Sequence, residues 1–224
     1  MAIVDTKWNQ FRAAGSSIPP DIFFRVLQSR DEENNIEKEV DVDKSDLIGA
    51  HKLLLAGSSE VFRANFFGLL KMTGEVMVVK ETTEEAFATL VNFIYCPGGK
   101  EAFSLKHTTS LAELCDIIEI SERYQVQDLV QIAKDAILAF EITRKNVIAS
   151  ATIAKKYNVF EGIEEMLNNK NLDFLEKTMK SANDVFALMA ETDLDNPENE
   201  MLVLQSLAKM MQGRVGLVRE GRKI

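Results

Sequence analysis

The chain has 224 residues, of which 46% are hydrophobic, so it can bury a sizeable core and global disorder is excluded. Its formal net charge is -9. This balance opposes nucleic-acid binding, because such proteins need a cationic surface to displace phosphate counterions. Eight acidic residues and two lysines in residues 31–46 supply most of the charge, and a solvated acidic loop is the simplest interpretation of that stretch.

Cysteine use and hydropathy favour an intracellular protein. Cys96 and Cys115 are the two cysteines of the chain, too few for a disulfide framework. No apolar stretch reaches the ~20 residues that span a bilayer, and the first residues lack the apolar core of a secretory signal. We therefore expect no membrane partner and a location in the cytoplasm, the nucleus or both.

The N-terminal part of the chain contains most of the strand patterns. Trp8 and Phe11 have a helical spacing and precede a break formed by Gly and Pro residues. The stretch 21–29 predicts a strand that is largely covered, because neither of its faces is strongly polar. Further short strands are predicted at residues 39–42, 46–50 and 75–79.

Helix signals separate these strands. KLLLAG (52–57) predicts a short helix, and Ser58 is the predicted N-cap of the next one. Thr82 and Glu85 have the spacing of a capping box ahead of a third helix. The apolar residues of that helix recur at helical spacing: Phe87, Leu90, Val91 and Ile94.

From Ser110 onward the chain has helix patterns and no strand pattern. Ser110 and Glu113 form a second capping box, and two amphipathic helices follow it. Strands early and helices late predict an α+β fold and not βαβ alternation. Five further helices are predicted at residues 143–157, 159–168, 172–180, 183–191 and 198–212.

The order and the residues of these elements resemble the BTB (POZ) domain family over roughly residues 8–140. The resemblance implies an α+β fold in which a small sheet is capped by a helical cluster. It predicts an N-terminal helix and linker at 1–20, a BTB/POZ domain at 21–140, a loosely BACK-like helical extension at 141–212 and a tail at 213–224. The main matches are Asp21-Ile22, Ala50-His51-Lys52, Val61-Phe62, Phe93-Ile94-Tyr95 and Tyr124-Gln125-Val126.

The resemblance also implies self-association. Trp8 and Phe11 lie on the helix that packs across the twofold dimer interface in this family, where paired aromatic residues bury large apolar area. The alternative is that both aromatic residues pack within their own subunit. Asp21 and Lys52 match a charged pocket near the dimer groove of BTB transcription regulators; the alternatives are an ion pair that orders the subunit, or two unrelated surface charges.

A strongly apolar run follows the second predicted helix and is a candidate partner loop. Phe67, Leu69, Leu70 and Met72 are expected either in the core or in an exposed patch that binds another protein. Cullin-binding members of the family carry a hydrophobic-x-Glu motif here. In residues 68–76, GLLKMTGEV, that motif is absent in register, which weakens the expectation of cullin binding.

His51 is the one residue that invites a chemical role. A metal site would need several further ligands, and no recognised spacing supplies them. A nucleophilic site would need a Ser or Cys oriented by a base, and no such motif occurs. In the family this His is structural, at a junction between a strand and a helix. We therefore expect no enzymatic activity, cofactor or metal.

The functional prediction is a homodimeric adaptor or scaffold that binds an unknown client protein. The leading specific hypothesis is a substrate adaptor of a cullin-based ubiquitin ligase. The alternative is a self-associating scaffold or transcription cofactor that binds no cullin.

Overall fold

The structure, a computed structural model, describes residues 18–27, 47–69, 71–106, 109–157 and 162–178. In these ranges a 3₁₀ turn lies at Gly99–Glu101. The strands are β1 (Ile22–Leu27), β2 (Ile48–Ala50) and β3 (Val76–Lys80). The helices are α1 (Lys52–Ser58), α2 (Glu60–Phe67), α3 (Glu84–Ile94), α4 (Leu111–Arg123), α5 (Gln127–Ala139), α6 (Val147–Lys156) and α7 (Ile163–Thr178).

The chain divides into two compact units, residues 1–136 and 137–224. The first unit contains the three strands, α1 to α4 and most of α5, and the second contains α6 and α7. The three strands all lie before residue 81 and every later element of the described ranges is helical, which confirms the predicted α+β class. No helix within the described ranges is long and apolar enough to cross a membrane.

The sheet of the first unit has the strand order β2-β1-β3. β1 pairs antiparallel with β2, with Ile22 opposite Ala50. It pairs parallel with β3, with Phe23 opposite Val76. Because β1 is the central strand, its side chains are buried or half-buried, and the prediction that this strand is largely covered is confirmed.

Aromatic rings form the centre of the first unit. The Phe62 ring stacks on Tyr124 with 4.2 Å between centroids, and Phe24 lies 4.8 Å from Phe87. The Phe62 ring also contacts Phe24, at 5.9 Å. Such pairs stabilise a core by about 0.5–1.5 kcal/mol each beyond the area that they bury, so this cluster joins β1, α2, α3 and the end of α4.

The caps of three helices test the sequence predictions directly. The capping box of Ser110 and Glu113 is present at the start of α4, as predicted. The prediction for Ser58 is wrong, because Ser58 ends α1 and Ser59 caps α2 by accepting from the Phe62 N–H. The Thr82 box is also wrong by one residue, since Thr83 is the N-cap of α3 and accepts from the Ala86 N–H.

The reason for the first shift is tertiary. The Ser59 side chain is buried, and its hydroxyl donates to the carbonyl oxygen of Tyr124 at 2.6 Å while accepting from Phe62. A serine at position 58 is exposed and has no such buried acceptor. Both serines suit an N-cap locally, so the distant carbonyl selects between them.

The second unit has a small core between α6 and α7. Val147, Ile148 and Ala151 of α6 pack with Leu175 of α7. Two predicted helices, 159–168 and 172–180, overlap the single helix α7 because the residues between them include no Gly or Pro to stop it. The predicted strand at 39–42, the predicted helices at 183–191 and 198–212 and the tail at 213–224 lie outside the described residues.

Candidate interaction surfaces

His51 forms the junction between β2 and α1. It is the N-cap residue of α1 with an extended backbone, φ -118° and ψ 119°. Its N–H donates to the Tyr95 hydroxyl at 2.8 Å, and its Nδ1 lies 2.7 Å from the same hydroxyl. Its Nε2 lies 3.2 Å from the carbonyl oxygen of Ile18.

These contacts define one consistent hydrogen-bond arrangement. A carbonyl oxygen only accepts, so Nε2 must carry the proton that it donates to Ile18. In the tautomer with the proton on Nε2 alone, the Tyr95 hydroxyl accepts from the His51 N–H and donates to Nδ1. Both ring nitrogens are therefore engaged in joining α1 to α3 and to the start of β1. No group of three or more metal-ligating residues occurs within the described ranges.

The Asp21 side chain caps the N-terminus of α1, because the His51 side chain makes no capping hydrogen bond there. The Asp21 carboxylate accepts from the Lys52 N–H at 2.7 Å, and the Asp21 N–H donates to the Ala50 carbonyl at 3.1 Å. A carboxylate at a helix N-terminus also interacts favourably with the helix dipole. The structure thus brings Asp21 to Lys52 through the backbone, whereas no side-chain ion pair joins them among the described contacts. The charged pocket stays a prediction.

Exposed apolar side chains surround this junction. Leu53 is 76% exposed, and Leu54 and Ile18 are exposed as well, whereas Leu55 is fully buried. We call Ile18, Leu53 and Leu54 the hinge patch. The sequence placed three leucines in one helix and did not separate these two from the core residue. No residue of the predicted dimer interface, Trp8 and Phe11, lies in the described ranges.

A second exposed apolar group lies where α2 ends. Phe67 is 57% exposed and Leu69 is fully exposed; we call these two residues the α2 patch. Met72 is half-buried, and its N–H donates to the Asn65 carbonyl at 2.9 Å, which folds the segment back on α2. Leu70 lies outside the described residues. The apolar run is therefore divided, with Phe66 in the core and the α2 patch in solvent.

The sequence profile of the BTB/POZ domain matches residues 26–141, which is more than half of the chain. The chain belongs to the BTB/POZ domain family. This confirms the predicted fold, a small sheet with a helical cluster and a helical extension. BTB/POZ domains are protein–protein interaction modules that generally associate with themselves and with other proteins, so the coarse functional class follows from membership.

Individual proteins with this domain are distant relatives. The chain is 28% identical to the mouse TD and POZ domain-containing protein 4 over 127 residues, which cover 56% of the chain and 31% of that relative. It is 29% identical to the Drosophila melanogaster BTB/POZ domain-containing protein 9 over 134 residues, or 58% of the chain and 18% of that relative. The chain thus matches less than a third of either protein's length.

Solved structures also resemble part of the chain. The BTB domain of zebrafish PATZ1 is 17% identical, with a TM-score of 0.36, over 54% of the chain and 77% of that structure.

Proposed function

We propose that the protein is a non-enzymatic, homodimeric adaptor or scaffold. It uses the hinge patch for twofold pairing and the α2 patch to bind a second protein. The observation that carries the proposal is the exposure of large apolar side chains at two separate places in a small domain, the hinge patch and the α2 patch. Groups of exposed large apolar side chains on a folded domain are typical of interaction sites.

Twofold pairing suits the hinge patch. Burial of apolar surface stabilises an interface by about 25 cal/mol per Å², and a twofold interface buries each side chain in both subunits. Each dimer that forms therefore buries two copies of Leu53, one from each subunit. Trp8 and Phe11 extend the same interface in this proposal, and the pocket of Asp21 and Lys52 lies beside it.

The second surface makes the domain an adaptor. Phe67 and Leu69 are two residues apart at the end of a helix, and Phe67 offers the kind of aromatic anchor that dominates binding energy at interfaces. With Leu70 and Met72 they form the proposed partner loop. The leading candidate partner is a cullin scaffold, although Glu75 is one place too late for the family's hydrophobic-x-Glu motif. The second candidate function is a scaffold or transcription cofactor without a cullin.

Light scattering at micromolar concentration tests the pairing. We expect a dimer for the unmutated protein and a monomer for Leu53→Asp, because a carboxylate would be buried against its twofold mate. Leu138→Asp is the matched control, since Leu138 is also an exposed leucine, at 54%, and belongs to neither patch. A monomeric unmutated protein, or a Leu53→Asp variant that remains dimeric, contradicts the twofold proposal.

A pulldown with purified cullin N-terminal domains tests the partner. If the α2 patch is the docking surface, the double variant Phe67→Asp, Leu69→Asp loses the cullin while Leu138→Asp retains it. Equal retention by both variants contradicts docking at the α2 patch. If the unmutated protein retains no cullin, the ubiquitin-ligase hypothesis is wrong and the scaffold alternative is the better proposal.

A further inference from the structure

β3 lies at an edge of the sheet, and its outward backbone groups have no strand beside them within the described residues. The Phe23 N–H donates to the Glu75 carbonyl at 2.7 Å, with Phe23 opposite Val76 and Arg25 opposite Val78. In a parallel ladder this phase directs the N–H and C=O groups of Met77 and Val79 toward β1. The N–H and C=O groups of Val76 and Val78 therefore point away from the sheet.

The far end of β3 is already closed. The Arg123 guanidinium donates to the carbonyl oxygen of Lys80 at 2.6 Å and to that of Glu81 at 3.2 Å. The open edge is thus limited to residues 76–78. A short open edge limits extended self-pairing.

The face of the sheet at this edge combines apolar side chains with Arg25, and Lys80 at the end of β3 lies on the same side. Phe23, Arg25, Val76 and Val78 share that face, because opposed residues of paired strands point to the same side. Val76 is 42% exposed, and Arg25 is half-buried. No hydrogen bond or ion pair involves the Arg25 guanidinium in the described part of the chain.

We infer that the open edge of β3 binds an extended acidic segment of a partner protein by strand addition. The backbone of that segment pairs with the outward groups of Val76 and Val78, as in other cases of strand addition at a sheet edge. A carboxylate beside Val78 then meets Arg25. Neighbouring strands are ~4.8 Å apart, so the added strand lies ~10 Å from β1, a span that an Arg and a Glu side chain bridge together.

Charge complementarity selects this occupant over the β3 strand of a second copy of the chain. The strand Val76–Lys80 contains no acidic residue and ends in a lysine, so a second β3 would bring no carboxylate to Arg25. An acidic segment instead supplies a charge-assisted hydrogen bond to a guanidinium that has none within the described ranges. The site uses no residue of the hinge patch or the α2 patch. Its test is therefore independent of the tests of the proposed dimer and adaptor function.

Fluorescence anisotropy with a synthetic hexapeptide tests the inference. The probe alternates valine and threonine around one central glutamate, and its control carries glutamine at the centre. We expect the glutamate peptide to bind the unmutated protein about tenfold more tightly than the control peptide, as for a charge-assisted contact. Arg25→Gln should remove that difference, so that both peptides bind the variant equally.

Two substitutions at Val78 test the backbone pairing. Val78→Pro removes an N–H that points away from β1, which an edge strand tolerates, and it should abolish binding. Val78→Thr keeps the N–H and the branched shape and should bind as the unmutated protein does. Thermal unfolding of both variants checks that they fold. If Val78→Pro does not fold, the comparison of the two peptides with Arg25→Gln still tests the inference.

Three results overturn the inference: no binding of the glutamate peptide, equal binding by the two Val78 variants, or an unchanged preference for glutamate in Arg25→Gln. A fourth comes from hydrogen exchange measured by NMR. We expect rapid exchange of the Val76 and Val78 amides in the free protein. Slow exchange there shows that another segment or a second copy already fills the edge, which contradicts the inference.

Discussion

The two units of the chain differ in how well their buried polar groups are hydrogen-bonded. In the first unit, the buried Ser59 hydroxyl donates to the Tyr124 carbonyl and the buried Ser121 hydroxyl donates to the Ile117 carbonyl, whereas the Thr82 hydroxyl is buried without a partner among the described contacts. In the second unit, the Ser150 hydroxyl and the Asn171 side-chain amide are buried without a hydrogen-bond partner among the described contacts. A buried polar group without a partner destabilises a fold by about 1–3 kcal/mol.

This difference indicates where each unit gets its stability. The first unit combines an aromatic core with buried polar groups that are mostly hydrogen-bonded, Thr82 being the exception, and these contacts position α1 and α2, which carry most of the two proposed interaction patches. In α7, Asn171 continues the buried positions Ile163 and Leu167 at intervals of four residues, so a polar residue takes a place that suits an apolar one. The predictions below test this contrast, from the largest expected effect to the smallest.

Removing an aromatic ring from the first core should have the largest effect. Phe62→Ala is expected to lower the free energy of unfolding by about 3–5 kcal/mol, because it leaves a cavity against Tyr124 and Phe24. Chemical denaturation measures the change. Phe67→Ala is the control on the same helix, and its exposed ring predicts a change within about 0.5 kcal/mol. Equal effects of the two substitutions contradict the described core.

Removal of the cap of α2 should cause the second-largest loss of stability. Ser59→Ala removes a buried bond to Tyr124 and the acceptor for the Phe62 N–H, with an expected loss of about 2 kcal/mol. Ser58→Ala, one residue earlier and exposed, should change the stability very little. Denaturation curves of the two variants compare them under identical conditions. A larger loss of stability for Ser58→Ala than for Ser59→Ala would mean that Ser58 caps α2, as the sequence predicts.

The second unit should respond in the opposite direction. Asn171→Leu is expected to stabilise the protein by about 1–2 kcal/mol, since it replaces a buried amide without partners by an apolar side chain. Thermal unfolding followed by circular dichroism detects the shift. The exposed Asn169→Leu provides the control and should leave the unfolding temperature unchanged. A destabilised Asn171→Leu variant means that the amide has a partner, and the contrast between the units is then lost.

Alkaline pH tests the burial of Tyr124. Burial raises the pKa of this hydroxyl from 10.0 to about 12, against a smaller lowering effect of the neighbouring Arg123. The neutral phenol is favoured in the folded state, so its contribution is complete below pH 10 and is lost as the pH rises toward 12. At pH 11 the expected loss is about 1 kcal/mol.

The matched variant for this titration is Tyr124→Phe, which keeps the ring and removes the ionisable hydroxyl. Stability measured between pH 9 and 11 should fall more steeply for the unmutated protein than for the variant, because the lysines that also titrate there are common to both. Parallel curves mean that the hydroxyl is not buried as described.

Much of the fold could be predicted from local patterns. The covered strand β1, the capping box at Ser110 and the change from strands to helices along the chain are all properties of short segments. The resemblance to the BTB/POZ family then supplied the arrangement of the elements. The candidate site was only partly predictable. The sequence indicates Asp21 and Lys52, but their contact is a carboxylate cap on a backbone N–H, which no sequence pattern specifies.

The exposed residues were harder to predict. KLLLAG contains three leucines, and only packing reveals that Leu55 is inside while Leu53 is in solvent. The open edge of β3 gave no signal in the sequence, because VMVV reads as a strand whether or not both of its edges are paired. Arg25 likewise looks like any strand arginine until the register places it beside Val78.

The sequence by itself determined the class of fold and the order of most elements, because these depend on periodicity, capping residues and turn residues within a few positions of each other, and its resemblance to a known family identified the family. The tertiary structure decided which serine caps α2 and how His51 is held. Those outcomes depend on hydrogen bonds between residues 65 and 44 positions apart. Contacts of that separation exist only once the sheet and the helices have packed.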